Sequence, residues 1–223
     1  MTNISSQISK IMENKDVSES IRLLLDLEKE RPLDVEVKQL LSMCYKKTND
    51  NSKALQFLLN ALEIQPLNHS ISYNLGQLHQ SFNKQEEAIA YYKNSVDFNS
   101  EFKLGMNTLA DIFFKEKEFF KAITYYNKSV NLDSTKDNIF AIFRLALCFF
   151  ETANINKKNE DRKSAIKYFK LAYKINPDEA SIQANLIGIY NLYGMKNKAV
   201  YQLKKSYGVF DVNTVNKTTE IKF

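Results

Sequence analysis

The chain has 223 residues and a net charge of +5 at pH 7, with 31 basic and 26 acidic residues scattered along its length. Scattered charge of both signs is typical of a solvated surface, so the composition argues against nucleic-acid binding. The sequence has no stretch near the roughly 18 apolar residues that cross a bilayer and no apolar secretory signal at its start, which predicts no membrane insertion and a cytoplasmic location.

A pattern of residues recurs along the chain with a period of about 34 residues. Pro32, Pro66 and Pro177 stand at the same point of this period. Proline lacks an amide hydrogen and restrains the residue before it, so each is predicted to follow the end of a helix. The pattern predicts one continuous domain of six units, 1–34, 35–68, 69–102, 103–138, 139–179 and 180–213. A tail, 214–223, follows the last unit.

Each unit is predicted to begin with a first helix. Asp34 and Asn68 stand where an N-cap is needed to start such a helix, and Asp178 can serve the same purpose. From the second unit onward a leucine is followed four residues later by a ring-bearing side chain, which places both on one helix face. The pairs are Leu41 with Tyr45, Leu75 with His79, Leu109 with Phe113, Leu145 with Phe149, and Leu186 with Tyr190.

A second helix is predicted later in each unit. It carries a small residue that lets two helices approach closely, and a larger residue four positions on that fills the space beside it. The pairs are Ser20 with Leu24, Ala54 with Leu58, Ala88 with Tyr92, Ala122 with Tyr126, Ala165 with Phe169, and Ala199 with Leu203.

These residues resemble the tetratricopeptide repeat family over roughly residues 1–210. Its pattern is met most fully by Leu75-Gly76 with Ala88 and Tyr92, and by the stretch from Ala54 to Pro66. The resemblance implies an all-α fold, a right-handed superhelical solenoid of antiparallel helix hairpins. Unit one is degenerate, as expected of a terminal cap. Three units depart from the family by having Lys38, Ser72 or Ile142 in place of an aromatic residue.

The resemblance also implies a function. It predicts a non-catalytic scaffold or adaptor that binds a protein partner, as a peptide or helix, in a concave groove lined by the first helices. The alternative is a targeting or regulatory module for an enzyme such as a secretion or glycosyl-transfer system. The family's groove positions correspond here to Tyr73, Asn74, Gln77, Asn107, Asp111, Phe114, Phe140, Phe143, Arg144, Phe150 and Asn185.

Phe140, Phe143, Arg144 and Phe150 are the predicted main contacts, because aromatic residues and arginine most often anchor interfaces. The alternative is that two or three of these rings only pack between helices. Asn74 and Asn185 are candidates for bonding the backbone of a ligand, or are simply solvated.

Family members that grip the C-terminal carboxylate of chaperones use lysine, arginine and asparagine at fixed groove positions. Here those positions hold Gln39 and Met43 in unit two, Asn74 in unit three, and Leu104 and Thr108 in unit four. Only Asn74 fits, so the sequence disfavours binding of chaperone tails.

The sequence offers no set of residues for catalysis, a cofactor or a metal ion. His69 and His79 are the only histidines, and neither has a cysteine near it in sequence. Cys44 and Cys148 fall in first helices several layers apart, which predicts buried, reduced thiols. The chain is therefore not predicted to be an enzyme.

Two irregularities break the pattern. The fifth unit carries about seven extra residues around 154–160, which are predicted to lengthen the loop between its two helices. The last unit has no clear polar cap, so Leu203, Tyr207 and Phe210 are predicted to be exposed and to allow self-association through the C-terminal repeat.

Overall fold

The structure is a computed structural model that describes residues 8, 9, 11, 13 and 16–207. Between residues 16 and 207 the chain forms eleven α-helices and one short 3-10 helix, and that stretch contains no strand. The helices are α1 (Val17–Glu30), α2 (Val35–Lys47), α3 (Asn51–Ile64), α4 (His69–Ser81), α5 (Gln85–Phe98), α6 (Lys103–Lys115), α7 (Phe119–Leu132), α8 (Ile139–Asn156), α9 (Asn159–Ile175), α10 (Ala180–Leu192) and α11 (Lys196–Tyr207), with the 3-10 helix at Lys136–Asn138 before α8.

The starts of the helices agree with most of the predicted caps. Asp34 Oδ1 accepts hydrogen bonds from the amides of Glu36 and Val37 at the start of α2. Asn68 caps α4 in the same way. The prediction for Asp178 is wrong, because the N-cap residue of α10 is Glu179, which stands two residues after Pro177 just as Asp34 and Asn68 stand two residues after their prolines.

The turns inside the hairpins share one geometry. In four of them the second of three turn residues has a positive φ, namely Asn49, Asn83, Lys117 and Gly194. In the first of these turns the Asp50 amide donates to the Tyr45 carbonyl at 2.9 Å, a bond that closes the end of α2. Asparagine and glycine favour the left-handed conformation, so the sequence supports three of these four turns locally, and Lys117 is the exception.

The predicted pairs of small and large residues form the core. The five alanines of the second helices have no exposed surface, and the large residues that follow them are almost completely buried. Helices α4 and α5 show the reason: Gly76 and Ala88 bring the two helices close, and the ring of Tyr92 fills the space between them. Burial of each such side chain stabilises the fold by about 1.5–3 kcal/mol.

The prediction of a long loop at 154–160 is wrong. The extra residues extend α8 to 18 residues and α9 to 17, and only Lys157 and Lys158 remain as a turn. The lengthened end packs on the next hairpin, where the Arg162 guanidinium lies 5.3 Å from the ring centroid of Tyr193. Tertiary contacts of this kind allow both helices to continue past the length of the other repeats.

The helices group into two compact units, Met1–Gly105 and Met106–Phe223, and the boundary falls within α6. The core of the first unit includes Leu24, Leu41 and Leu58, together with Ile8 near the start of the chain. The core of the second unit is centred on Phe169 and Leu186.

One stretch is more apolar than the sequence analysis expected. Residues Lys136–Asn156 form a helical segment of 21 residues that contains an 18-residue window with a mean hydropathy of 1.4, enough by length and composition to cross a membrane. The expectation that no such stretch exists is therefore wrong. Because 56% of this window is buried within the protein, packing in the core accounts for its apolar composition. The segment is therefore weak evidence for a membrane span.

Candidate binding surfaces

In the first unit, polar side chains on α2 and α4 bond to each other. Gln39 Oε1 accepts hydrogen bonds from Ser70 Oγ at 2.9 Å and from Asn74 Nδ2 at 3.1 Å. Lys46 Nζ donates to Gln77 Oε1 at 3.3 Å. Asn74 and Gln77 therefore join the two first helices of this unit, and a peptide that bonded to them would have to share or replace these partners.

Tyr73, the third predicted groove residue of this unit, lies in the core. Only 9% of its surface is exposed. Its ring centroid is 5.3 Å from that of Tyr92 and 5.3 Å from that of Phe102, which it meets edge to face. The Tyr73 ring already packs between two others, so a partner could contact it only after repacking.

In the second unit, Asn107 and Asp111 of α6 point to neighbouring helices. Asn107 Nδ2 donates to Asn138 Oδ1 at 2.9 Å, and Asp111 accepts a hydrogen bond from the Tyr126 hydroxyl. Burial, together with the negative charge of Asp111, raises the pKa of Tyr126 far above its ordinary value. The hydroxyl therefore stays protonated and holds the Asp111 carboxylate in place.

The Arg144 side chain is held against an aromatic ring. Its guanidinium carbon lies 4.8 Å from the ring centroid of Phe114, an arrangement typical of a cation–π contact. Phe114 itself meets Phe119 edge to face, with the centroids 5.7 Å apart. The rings fix the position of the charged group before any partner arrives.

A cleft of about 270 Å³ lies between α8 and α10 in this unit. Phe140 stands at this cleft with 81% of its surface exposed. The Phe143 ring packs edge to face on the ring of Phe169, with the two centroids 5.8 Å apart. The residues that line the cleft are Ile139, Phe140, Phe143, Arg144, Asn176, Glu179, Ser181 and Ile182.

Three of the four predicted main contacts, Phe140, Phe143 and Arg144, therefore line one cleft, and the fourth, Phe150, does not. Phe150 is only 7% exposed and packs against Tyr193, so it belongs to the core. Asn185 is also buried, and its Nδ2 donates to the Ser181 carbonyl one turn earlier in α10. Neither residue can contact a partner without repacking.

Five residues of the cleft are not among the residues predicted from the sequence: Ile139, Asn176, Glu179, Ser181 and Ile182. Asn176 and Glu179 lie in the junction between α9 and α10, outside the first helices from which the groove positions were taken. Ile139, Ser181 and Ile182 lie in first helices but were not among the positions chosen there. Pro177 marks this junction in the sequence and could have drawn attention to it.

The predicted exposed patch at the C-terminal repeat is not formed by Leu203, which is 2% exposed and packs in the core. The side chain of Tyr207, and Phe210, lie outside the described residues. Cys44 and Cys148 are free and buried, as predicted, and burial raises the pKa of both thiols. Among the described residues, no three His, Cys, Asp or Glu side chains cluster closely enough to hold a metal ion.

Antiparallel helix pairs of near-constant length, packed through small residues and joined by tight turns, define a helical-repeat scaffold of the kind that mediates protein interactions. The family model for the tetratricopeptide repeat matches residues 35–66, 69–102, 105–136 and 148–179, more than half of the chain. The chain therefore belongs to the tetratricopeptide repeat family, which confirms the resemblance in its sequence.

Solved structures support the same fold. MamA is 20% identical, with a TM-score of 0.62 over 76% of this chain and 94% of MamA. YrrB, a tetratricopeptide protein, is 18% identical, with a TM-score of 0.66 over 88% of this chain and 95% of YrrB. The C-terminal part of a repeat protein from Cytophaga hutchinsonii is 13% identical, with a TM-score of 0.68 over 90% of this chain and 78% of its own length. No curated protein sequence gives a significant match.

Proposed function

We propose that this chain is a non-catalytic adaptor that binds a peptide segment of a partner protein in the cleft between α8 and α10. The observation that carries the proposal is that the exposed ring of Phe140 lines the same cleft as Arg144. An aromatic ring that is left in solvent next to a fixed cation is a typical anchor for a partner. YrrB, a protein of similar fold that has an unusual peptide-binding site, adds support.

The cleft would recognise a peptide by two kinds of contact. An apolar side chain would pack between Phe140 and Ile182, both of which line the cleft. A carboxylate or backbone carbonyl of the peptide would accept a hydrogen bond from Arg144. Because Phe114 already holds Arg144 in place, little side-chain freedom is lost on binding.

An adaptor and an enzyme-targeting module would use this cleft in the same way. The activity of the bound partner distinguishes the two functions, since only a targeting module would have an enzyme as its partner.

The test is selection of binding peptides from a random displayed library on the full chain, followed by measurement of Kd by fluorescence polarisation. The variant Phe140→Ser should bind the selected peptide about tenfold or more weakly, the loss typical of a central anchor. Phe120→Ser is the matched control, because Phe120 is also an exposed phenylalanine of the second unit but lies in α7, outside the cleft. Equal affinity for Phe140→Ser and the wild-type chain, or equal losses in both variants, would refute the proposal.

A further inference from the structure

A second and larger cleft lies in the same unit, on different helices. Helices α9 and α11 form its walls, and Leu186 and Tyr190 of α10 contribute to its floor. Its volume is about 950 Å³, enough for several side chains of a bound segment. Its walls are second helices, whereas the groove positions of the family lie on first helices.

Lysines from both walls surround this cleft. Lys167, Lys170 and Lys174 follow one another along α9, and Lys198 and Lys205 stand on α11. On each helix the lysines are spaced so that they share one face. The lining contains no aspartate or glutamate, and within residues 16–207 none of the five lysines forms an ion pair.

The floor of the cleft is apolar and the lysines lie around it. Leu186 and Tyr190 are buried beneath the opening, and Ile166 and Leu171 of α9 are partly exposed beside them. Tyr201 of α11 is 67% exposed at the edge. An apolar centre with a charged border is the general anatomy of a protein interface.

We propose that this cleft binds an acidic amphipathic segment of another protein. Apolar side chains of the segment would enter the floor, and its carboxylates would pair with the lysines, which have no partner of opposite charge in the described structure. Opposite charges on the two surfaces speed the encounter and select against basic partners. The site uses none of the residues of the cleft between α8 and α10.

The lining favours a protein segment over a nucleic acid. It contains no arginine, the residue that best recognises phosphate in a bidentate manner. Only Tyr201 among its rings is well exposed, whereas readers of single strands use several exposed rings for stacking. Gln202 also lines the cleft, but it is 6% exposed and its Nε2 donates to Ser206 Oγ at 3.2 Å, a partner within α11.

The experiment uses the full chain and a fluorescein-labelled helical peptide of about 14 residues, or four turns. Leucines on one face of the peptide and glutamates on the other make it amphipathic. The double variant Lys170→Glu, Lys205→Glu should raise the Kd of this probe about tenfold or more and weaken its salt dependence. A matched control, Lys163→Glu with Lys196→Glu, changes the net charge equally on the same two helices but outside the cleft, and should leave Kd within about threefold.

Three results would overturn the proposal. The first is equal loss of probe binding in the cleft variant and the matched control, which would mean that net charge alone attracts the probe. The second is tighter binding of a single-stranded oligothymidine that is lost in the cleft variant, which would identify a nucleic-acid site. The third is binding of the probe only after Asp211→Lys and Glu220→Lys, which would assign the cleft to the chain's own C-terminal segment.

Circular dichroism of each variant establishes that it is folded. The variant Phe140→Ser should bind the acidic probe as the wild-type chain does. That result separates the two clefts, so failure of one proposal would leave the other standing.

Discussion

Substitution of Gly76 by alanine tests how closely the helices of one hairpin approach each other. A Cβ atom at Gly76 would lie 2.7 Å from both Cδ1 and Cε1 of Tyr92. Carbon atoms in favourable contact are about 3.5–4.0 Å apart, so the ring would have to move by about 0.8 Å. The ring is held in place, because Tyr92 is 1% exposed, its hydroxyl donates to Gln80 Oε1 at 2.9 Å, and its centroid is 5.3 Å from that of Tyr73.

Two opposing effects set the size of the change. Overpacking a core lowers stability by about 1–3 kcal/mol, and the rigid ring places Gly76→Ala in the upper part of that range. Alanine has a higher helix propensity than glycine, and this difference stabilises the fold by about 1 kcal/mol. The free energy of unfolding should therefore fall by about 1–2 kcal/mol.

The assay is urea unfolding followed by far-ultraviolet circular dichroism, with Gly76→Ala made in the wild-type chain and in a Tyr92→Leu chain. Leucine has no ring carbons at the contact, so there the alanine should be neutral or stabilise the fold by up to about 1 kcal/mol. The coupling between the two positions should be about 2 kcal/mol. Equal effects of Gly76→Ala in both chains would refute the reasoning.

Two further predictions concern the first unit. Lys38 Nζ lies 2.7 Å from Glu28 Oε1, with the lysine side chain only 5% exposed, so Glu28→Gln should lower the free energy of unfolding by about 1–3 kcal/mol. The exposed Glu30→Gln is the control in the same urea titration, and an equal effect of both would contradict a role for the buried pair. Burial lowers the pKa of His79, whose Nδ1 has no hydrogen-bond partner. The unfolded chain therefore binds a proton at this residue more readily than the folded chain does. The free energy of unfolding should fall as the pH drops below about 6.5. The loss of Tm between about pH 7.5 and pH 5.5 should be smaller in His79→Phe than in the wild-type chain, and an unchanged loss would exclude His79 as the cause.

The sequence determined the repeat, the ends of most helices and most of the core. These features depend on residues close together in the chain. Asp34 caps the helix that it precedes, and Ala88 and Tyr92 occupy one face of α5 because they are four residues apart. The same local pattern, repeated in each unit, made the family recognisable without any other information.

Tertiary structure alone decided which residues of that pattern are free to bind. Phe140 and Phe150 are the same residue type on one helix, yet the first is exposed and the second is covered by Tyr193 from the next hairpin. The lysines of the second cleft lie on separate helices, so the sequence shows their number but not that they surround one opening. The physical reason is the same in each case: helix formation and capping are set by neighbours in sequence, whereas exposure and charge grouping are set by neighbours in space.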